Sequence, residues 1–86
     1  MFNKVCIIGC GLIGSSIARS IKKNNLSRKV VSSNRSNNTN KKITKLNIVD
    51  EASSNTKKIV KGSDLIIIAT PLSSYENVIL KINKSL

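Results

Sequence analysis

The 86 residues include no histidine, no tryptophan, two cysteines, one proline and two aromatic rings, Phe2 and Tyr75. Without histidine, and with Cys6 and Cys10 as a solitary C-x-x-x-C, the donor set of a zinc site is missing. Two rings are too few for a platform on which nucleic-acid bases stack. Acids are scarce too: Asp50, Glu51, Asp64 and Glu76 stand against fifteen Lys and Arg, for a net charge of +11. The basic residues come largely in scattered pairs (Lys22-Lys23, Lys41-Lys42, Lys57-Lys58), as on solvated helix faces. The charge therefore reads as solubility and as a field that attracts an anionic ligand. The longest apolar run, around residues 65–70, is far too short to span a bilayer, and Met1-Phe2-Asn3-Lys4 runs straight into a strand without a signal-peptide pattern. The expectation is a cytoplasmic protein with no nucleic-acid and no membrane partner, its thiols small, buried or half-buried, and reduced.

What is present is a regular alternation. Residues 4–8 form an unbroken apolar run (Val5, Cys6, Ile7, Ile8), as in a parallel strand covered on both faces. From Leu12 to about Asn24 the period becomes helical: Ile13, Ile17 and Ile21 share a stripe with Gly14 and Ala18, while Arg19, Lys22 and Lys23 face outward. Asn24-Asn25 is a stop signal. A second strand spans 29–33, a weakly amphipathic helix 39–46 (Ile43, Leu46), and a minimal third strand 48–49. A short helix at 55–61 is closed by Gly62. The fourth strand, 64–70, is ended by Pro71, and Ser73 or Ser74 caps a last helix that turns Val78, Ile79 and Ile82 inward. Strands alternating with helices predict an α/β fold with a parallel sheet.

Gly9-Cys10-Gly11-Leu12-Ile13-Gly14 reads G-x-G-x-x-G. The pattern alone is common; here it follows a buried strand and opens an amphipathic helix, the context of a dinucleotide-binding turn. Gly9 allows the tight turn, Gly11 lets a pyrophosphate approach the backbone, and Gly14 lets the helix pack close to the sheet. The helix start then offers unpaired N–H groups and a partial positive charge. The fold expected is a Rossmann-type parallel sheet with helices on both faces, partial, of about four strands in the order 3-2-1-4. A full dinucleotide domain has about six strands, so residues 1–86 read as its N-terminal part. On that reading the last strand is left with an open edge, and a chain this short is marginal, burying roughly 60% of its unfolded surface.

The end of the second strand bears on which dinucleotide binds. NAD-binding proteins normally carry an Asp or Glu there for the adenosine ribose; this chain has Asn34, then Arg35 and Ser36. Asn34 does not repel a 2′-phosphate, Arg35 can pair with one, and Ser36 can donate a hydroxyl. An arginine can equally stack on adenine in an NAD site, so the missing acid is the sharper clue. NADP is expected, with NAD the alternative, and Asn34→Asp is expected to swing preference toward NADH. Thr70 and Pro71, past the fourth strand, are expected to line the route to the nicotinamide ribose. The four acids read as structural.

The run Cys6-Ile7-Ile8-Gly9-Cys10-Gly11-Leu12-Ile13-Gly14-Ser15-Ser16 resembles the opening of prephenate/arogenate dehydrogenases. Leu46-Asn47-Ile48-Val49-Asp50-Glu51-Ala52 is similar to that family's linker ahead of the third helix, and Gly62-Ser63-Asp64-Leu65-Ile66-Ile67-Ile68-Ala69-Thr70-Pro71 to its fourth strand and cofactor-side loop. The resemblance implies oxidative decarboxylation of prephenate or arogenate on the route to tyrosine, with hydride passing to the nicotinamide. It also implies a homodimeric full-length form with a helical substrate and dimerisation domain beyond these residues. Asn34 departs from the family's usual acid and Asn47 from a common glycine. The family's catalytic histidine would lie in a later segment, so this piece alone is expected to bind cofactor without turnover. Other readings are an NADP-dependent reductase of the β-hydroxyacid or pyrroline-carboxylate type, many of which carry methionine where Ile13 stands, and a non-enzymatic nucleotide-sensing module.

Overall fold

The computed structural model describes residues 1–9, 11–69, 71–72, 75–76 and 79–82, with residues 12–13 and those from 71 onward described by their backbone. The elements are β1 (Phe2–Ile8), α1 (Leu12–Lys23), β2 (Ser27–Ser33), α2 (Asn37–Lys45), β3 (Glu51–Ser53), α3 (Thr56–Val60), β4 (Leu65–Ile68), β5 (Pro71–Leu72), β6 (Tyr75–Glu76) and β7 (Ile79–Ile82). The main sheet runs β3-β2-β1-β4-β7. Its first four strands are parallel, in the expected 3-2-1-4 order.

The unbroken apolar run of β1 has the cause expected of it. Alternate side chains point to opposite faces: Val5 and Ile7 join the cluster with Ala18 and Ile21 of α1 and Ile43 of α2. Cys6 joins Val31 and Ile59 of α3, with Ile8 and Ile66 packed against them. Helices therefore cover both faces, α1 and α2 on one and α3 on the other.

Both long helices end on an asparagine in the left-handed region, Asn25 at φ 53° and Asn47 at φ 59°. The bonding is the same at each. Leu26 N–H donates to the Ile21 carbonyl at 3.0 Å and Asn25 N–H to Lys22 at 3.2 Å; Ile48 donates to Ile43 at 2.9 Å and Asn47 to Thr44 at 3.1 Å. This paired closure favours glycine first and asparagine next, which explains how Asn47 stands where a glycine is common. It also corrects the third strand. Ile48 and Val49 are buried, but both amides donate to the Ile43 carbonyl, so they finish α2, and the ladder begins at Glu51 opposite Val31.

The second correction concerns the chain after β4. The expected last helix is replaced by a β5–β6 hairpin and by β7, which runs antiparallel along β4 with Leu65 opposite Ile82 and Ile68 opposite Ile79. The edge expected to lie open is thus covered. An uncovered strand leaves a row of peptide groups without protein partners, and the β-branched residues Ile79 and Ile82 suit a strand that supplies them. The proposed caps Ser73 and Ser74, and Val78, lie outside the described residues.

Candidate functional site

One row of paired residues crosses the sheet at its carboxyl edge. Ile8 stands opposite Ser33 and Ile68, and Ser33 opposite Ser53. The next amides tie these ends together: Gly9 N–H donates to the Ser33 carbonyl at 2.8 Å, Asn34 N–H to Ser53 at 3.2 Å, and Ala69 N–H to Ile8 at 2.9 Å. The three segments singled out in the sequence therefore leave the sheet side by side. In open α/β sheets this is the edge where ligands lie.

The glycine turn assigns each described glycine a different task. Gly9 has φ 84°, a conformation costly for any residue with a Cβ. At Gly14 a Cβ would stand 2.5 Å from the Gly9 carbonyl oxygen and 3.4 Å from Ile7 Cγ2, so α1 can start against β1 only without a side chain there. Gly11 differs: its φ is −80°, and a Cβ there would meet nothing within 4 Å. The α1 start has no side-chain cap and no acid in its first turn, so neither of these offsets the positive end of the helix. Leu12 and Ile13 lie in the first turn of α1; Cys10 lies outside the described residues.

The turn after β2 is built from side chains. Arg35 and Ser36 are exposed, and Ser36 caps α2 by accepting the Thr39 N–H at 3.3 Å, leaving its own hydroxyl proton to donate. Asn34 is half-buried. Its Nδ2 donates to Ser32 Oγ at 3.1 Å and to Asn40 Oδ1 at 3.0 Å, and Asn40 Nδ2 donates back to the Asn34 carbonyl at 3.1 Å. Beside this, the Ser33 and Thr56 hydroxyls share a 2.6 Å hydrogen bond. Ser32 and Asn40 escaped the reading of the sequence. The available signal was Asn40 itself, a polar residue three before Ile43 on the buried stripe of α2. Beyond β4, Pro71 opens β5, and Thr70 lies outside the described residues.

Three of the four acids are engaged in ion pairs or main-chain hydrogen bonds. Asp50 forms a 3.0 Å ion pair with Lys22 and accepts the Val30 N–H at 2.8 Å; Glu51 pairs with Lys29 at 3.2 Å; Asp64 accepts the Asn3 N–H at 2.6 Å. Partial burial alone would raise the Asp50 pKa, but the Val30 amide with Lys22 and Lys29 outweighs it and holds the carboxyl below its usual range. These three acids are occupied structurally, as expected. Burial pushes the Cys6 thiol up to about 11, against a smaller opposing pull from Lys4. It is a packed core group and not a nucleophile.

A parallel 3-2-1-4 sheet, a glycine turn from its first strand into its first helix, and a polar turn closing its second define a Rossmann-type NAD(P)-binding domain of the oxidoreductase kind. Within that class the chain belongs to the family described as NADP oxidoreductase, coenzyme F420-dependent, whose model matches residues 4–86. Among solved structures it is similar to a prephenate dehydrogenase from A. aeolicus in complex with hydroxyphenyl propionate and NAD+, with a TM-score of 0.76 and 24% identity. The match covers 83% of this chain and 25% of that one, so the chain spans about a quarter of the larger enzyme. At this identity the likeness is one of fold, and it agrees with the resemblance read from the sequence. No curated protein sequence matches the chain.

Proposed function

We propose that the chain holds NADP(H) across the carboxyl edge of its sheet, as the nucleotide-binding part of a prephenate- or arogenate-type dehydrogenase. Backbone groups of Gly9, Cys10, Gly11, Leu12, Ile13 and Gly14 bind the pyrophosphate. Asn34, Arg35 and Ser36 face the adenosine ribose and its 2′-phosphate, and Thr70 and Pro71 border the path to the nicotinamide. When bound, the nicotinamide exchanges a hydride with the substrate. The catalytic histidine, the helical substrate domain and the dimer contacts belong, on this reading, to sequence outside these residues in a cytoplasmic enzyme.

The observation that carries the proposal is the contrast between Gly14 and Gly11. Close packing demands glycine at 14; at 11 the backbone angle is ordinary and the space above it is open. A glycine that the surrounding fold does not require is accounted for by a ligand that must come close. NADP over NAD is supported by the amide at 34, by the exposed Arg35 and by the family's description.

Titration of the chain with NADPH and NADH tests this. NADPH is expected to bind tighter by about tenfold or more, and Arg35→Ala to erase most of that preference, since a charge-assisted phosphate pair carries about that much. Indifference to both nucleotides would sink the proposal, and equal affinity would remove the NADP assignment. The family's description favours a second reading, hydride exchange between NADP and coenzyme F420. Assay of the full-length enzyme with prephenate, arogenate and F420 separates the two.

A further inference from the structure

The polar cluster at the end of β2 has a direction, because main-chain carbonyls accept hydrogen bonds and never donate them. Ser32 is fully buried and donates its hydroxyl to the Ile7 carbonyl at 2.9 Å. Toward Asn34, its Oγ therefore offers only lone pairs. Asn40, 6% exposed, donates its amide to the Asn34 carbonyl, which fixes the orientation of that amide and turns its acceptor oxygen toward Asn34. The backbone of Asn40 is held as well: its N–H donates to the Ser36 carbonyl at 3.1 Å, and its carbonyl accepts the Thr44 hydroxyl at 2.7 Å. The two hydrogens on Asn34 Nδ2 meet the two acceptors so presented. A carboxylate at position 34 would set oxygen against both. Ser32 could turn to donate only by abandoning Ile7, and Asn40 only by abandoning the Asn34 carbonyl, in a site where a lost partner is expensive.

We propose that Ser32 and Asn40 are specificity-determining positioning residues, which through the Ile7–Ser32–Asn34–Asn40 relay impose an amide at position 34 and exclude the carboxylate that would hold the 2′-hydroxyl of NAD. The inference rests on the NADP reading and goes past it. Cofactor choice is set one layer inside the ribose-facing turn, by a hydrogen-bond polarity that starts at a carbonyl of β1. Asn34→Asp by itself therefore does not convert the site to NADH, contrary to what the sequence alone suggests.

The experiment compares the wild-type chain, Asn34→Asp, and Asn34→Asp with Asn40→Ala, by thermal midpoint at pH 8 and pH 5 and by titration with NADH and NADPH. Arg35 and Lys41, the charged neighbours in sequence, are exposed, and the comparison with wild type at each pH cancels their background. In Asn34→Asp the midpoint is expected to fall by at least about 5 °C at pH 8. Part of that loss is expected to return at pH 5, because protonation of the carboxyl restores one of the two donors that the relay takes from Asn34. NADH affinity is expected to stay within about twofold of wild type in the single variant. It should rise about fivefold once Asn40→Ala removes one pinned acceptor. If the single variant does not fold at pH 8, folding at pH 5 supports the relay, and failure at both overturns it. A single variant with the wild-type midpoint at both pH values, or one that gains about tenfold in NADH affinity, also overturns it. Should the wild-type chain bind neither nucleotide, the functional proposal fails, and the pH dependence alone decides the relay.

Discussion

The two turns at the carboxyl edge are built by opposite means. The one after β1 works by the absence of side chains: Gly9 takes a left-handed backbone angle, and Gly14 lets a helix start against a strand. The one after β2 works by an excess of them, with Ser32, Asn34, Ser36 and Asn40 bonding each other and the main chain. A turn made by removal is rigid sterically and leaves peptide groups available to a ligand. A turn made by hydrogen bonds is rigid chemically and fixes which atoms donate and which accept. The first suits a diphosphate common to all dinucleotides, and the second suits a choice between them.

The steepest test of the steric turn is Gly14→Ala. The new methyl would lie 2.5 Å from a backbone oxygen, which no rotamer can relieve, so α1 must shift off β1. A loss of about 3 kcal/mol is expected in urea or thermal unfolding, at the upper end for overpacking. Asn40→Ala tests the chemical turn. It strips a partner from the Asn34 amide and from the Asn34 carbonyl at once, and about 2 kcal/mol of stability should go with it. An Asn40→Ala chain as stable as wild type would mean that the second turn is held by backbone geometry after all, and the contrast would dissolve.

That contrast also explains what could be read from residue order. Steric requirements leave a trace in single letters, since only glycine meets them, and so the first turn, its flanking strand and helix, and the 3-2-1-4 order were legible. The trace of a hydrogen-bond network is weaker: Asn40 sits six residues from its partner in what reads as an ordinary polar helix. The end of α2 misled for a related reason. Ile48 and Val49 look like strand residues, but Asn47 at φ 59° turns them back to bond with Ile43. After β4 the error was of another kind. Val78, Ile79 and Ile82 fit a helical stripe, yet the unpaired edge of β4 was a stronger claim on residues 79–82 than their local pattern.

Gly11→Ala separates folding from binding within the first turn. The position has room and an ordinary backbone angle, so stability should change by less than about 0.5 kcal/mol. On the proposed reading, a methyl where the pyrophosphate would approach should still weaken NADPH binding by about tenfold. If stability falls as it does for Gly14→Ala, the two glycines serve one structural purpose and the argument for a ligand at 11 is lost.

The smallest expected effect lies away from both turns and serves as their control. Asp50 anchors the approach to β3 through the Val30 amide and Lys22, and those contacts hold its pKa below the usual carboxylate value. A carboxyl depressed on folding adds stability that is fully present above its unfolded pKa of about 3.9 and is lost as pH falls through the lower folded value. The Asp50 side chain is 42% exposed and its Lys22 partner 29%, so solvent screening limits the gain to about 0.5 kcal/mol. Asp50→Asn should therefore lower the thermal midpoint slightly at pH 7, and the gap from wild type should close below about pH 4. Nucleotide affinity should not move, because Asp50 bonds Val30 at the middle of β2, three residues before the Ser33 row at the carboxyl edge. A change in affinity at neutral pH would show that the second turn is fixed from both ends of its strand, and that its chemistry is less local than the contrast with the glycine turn requires.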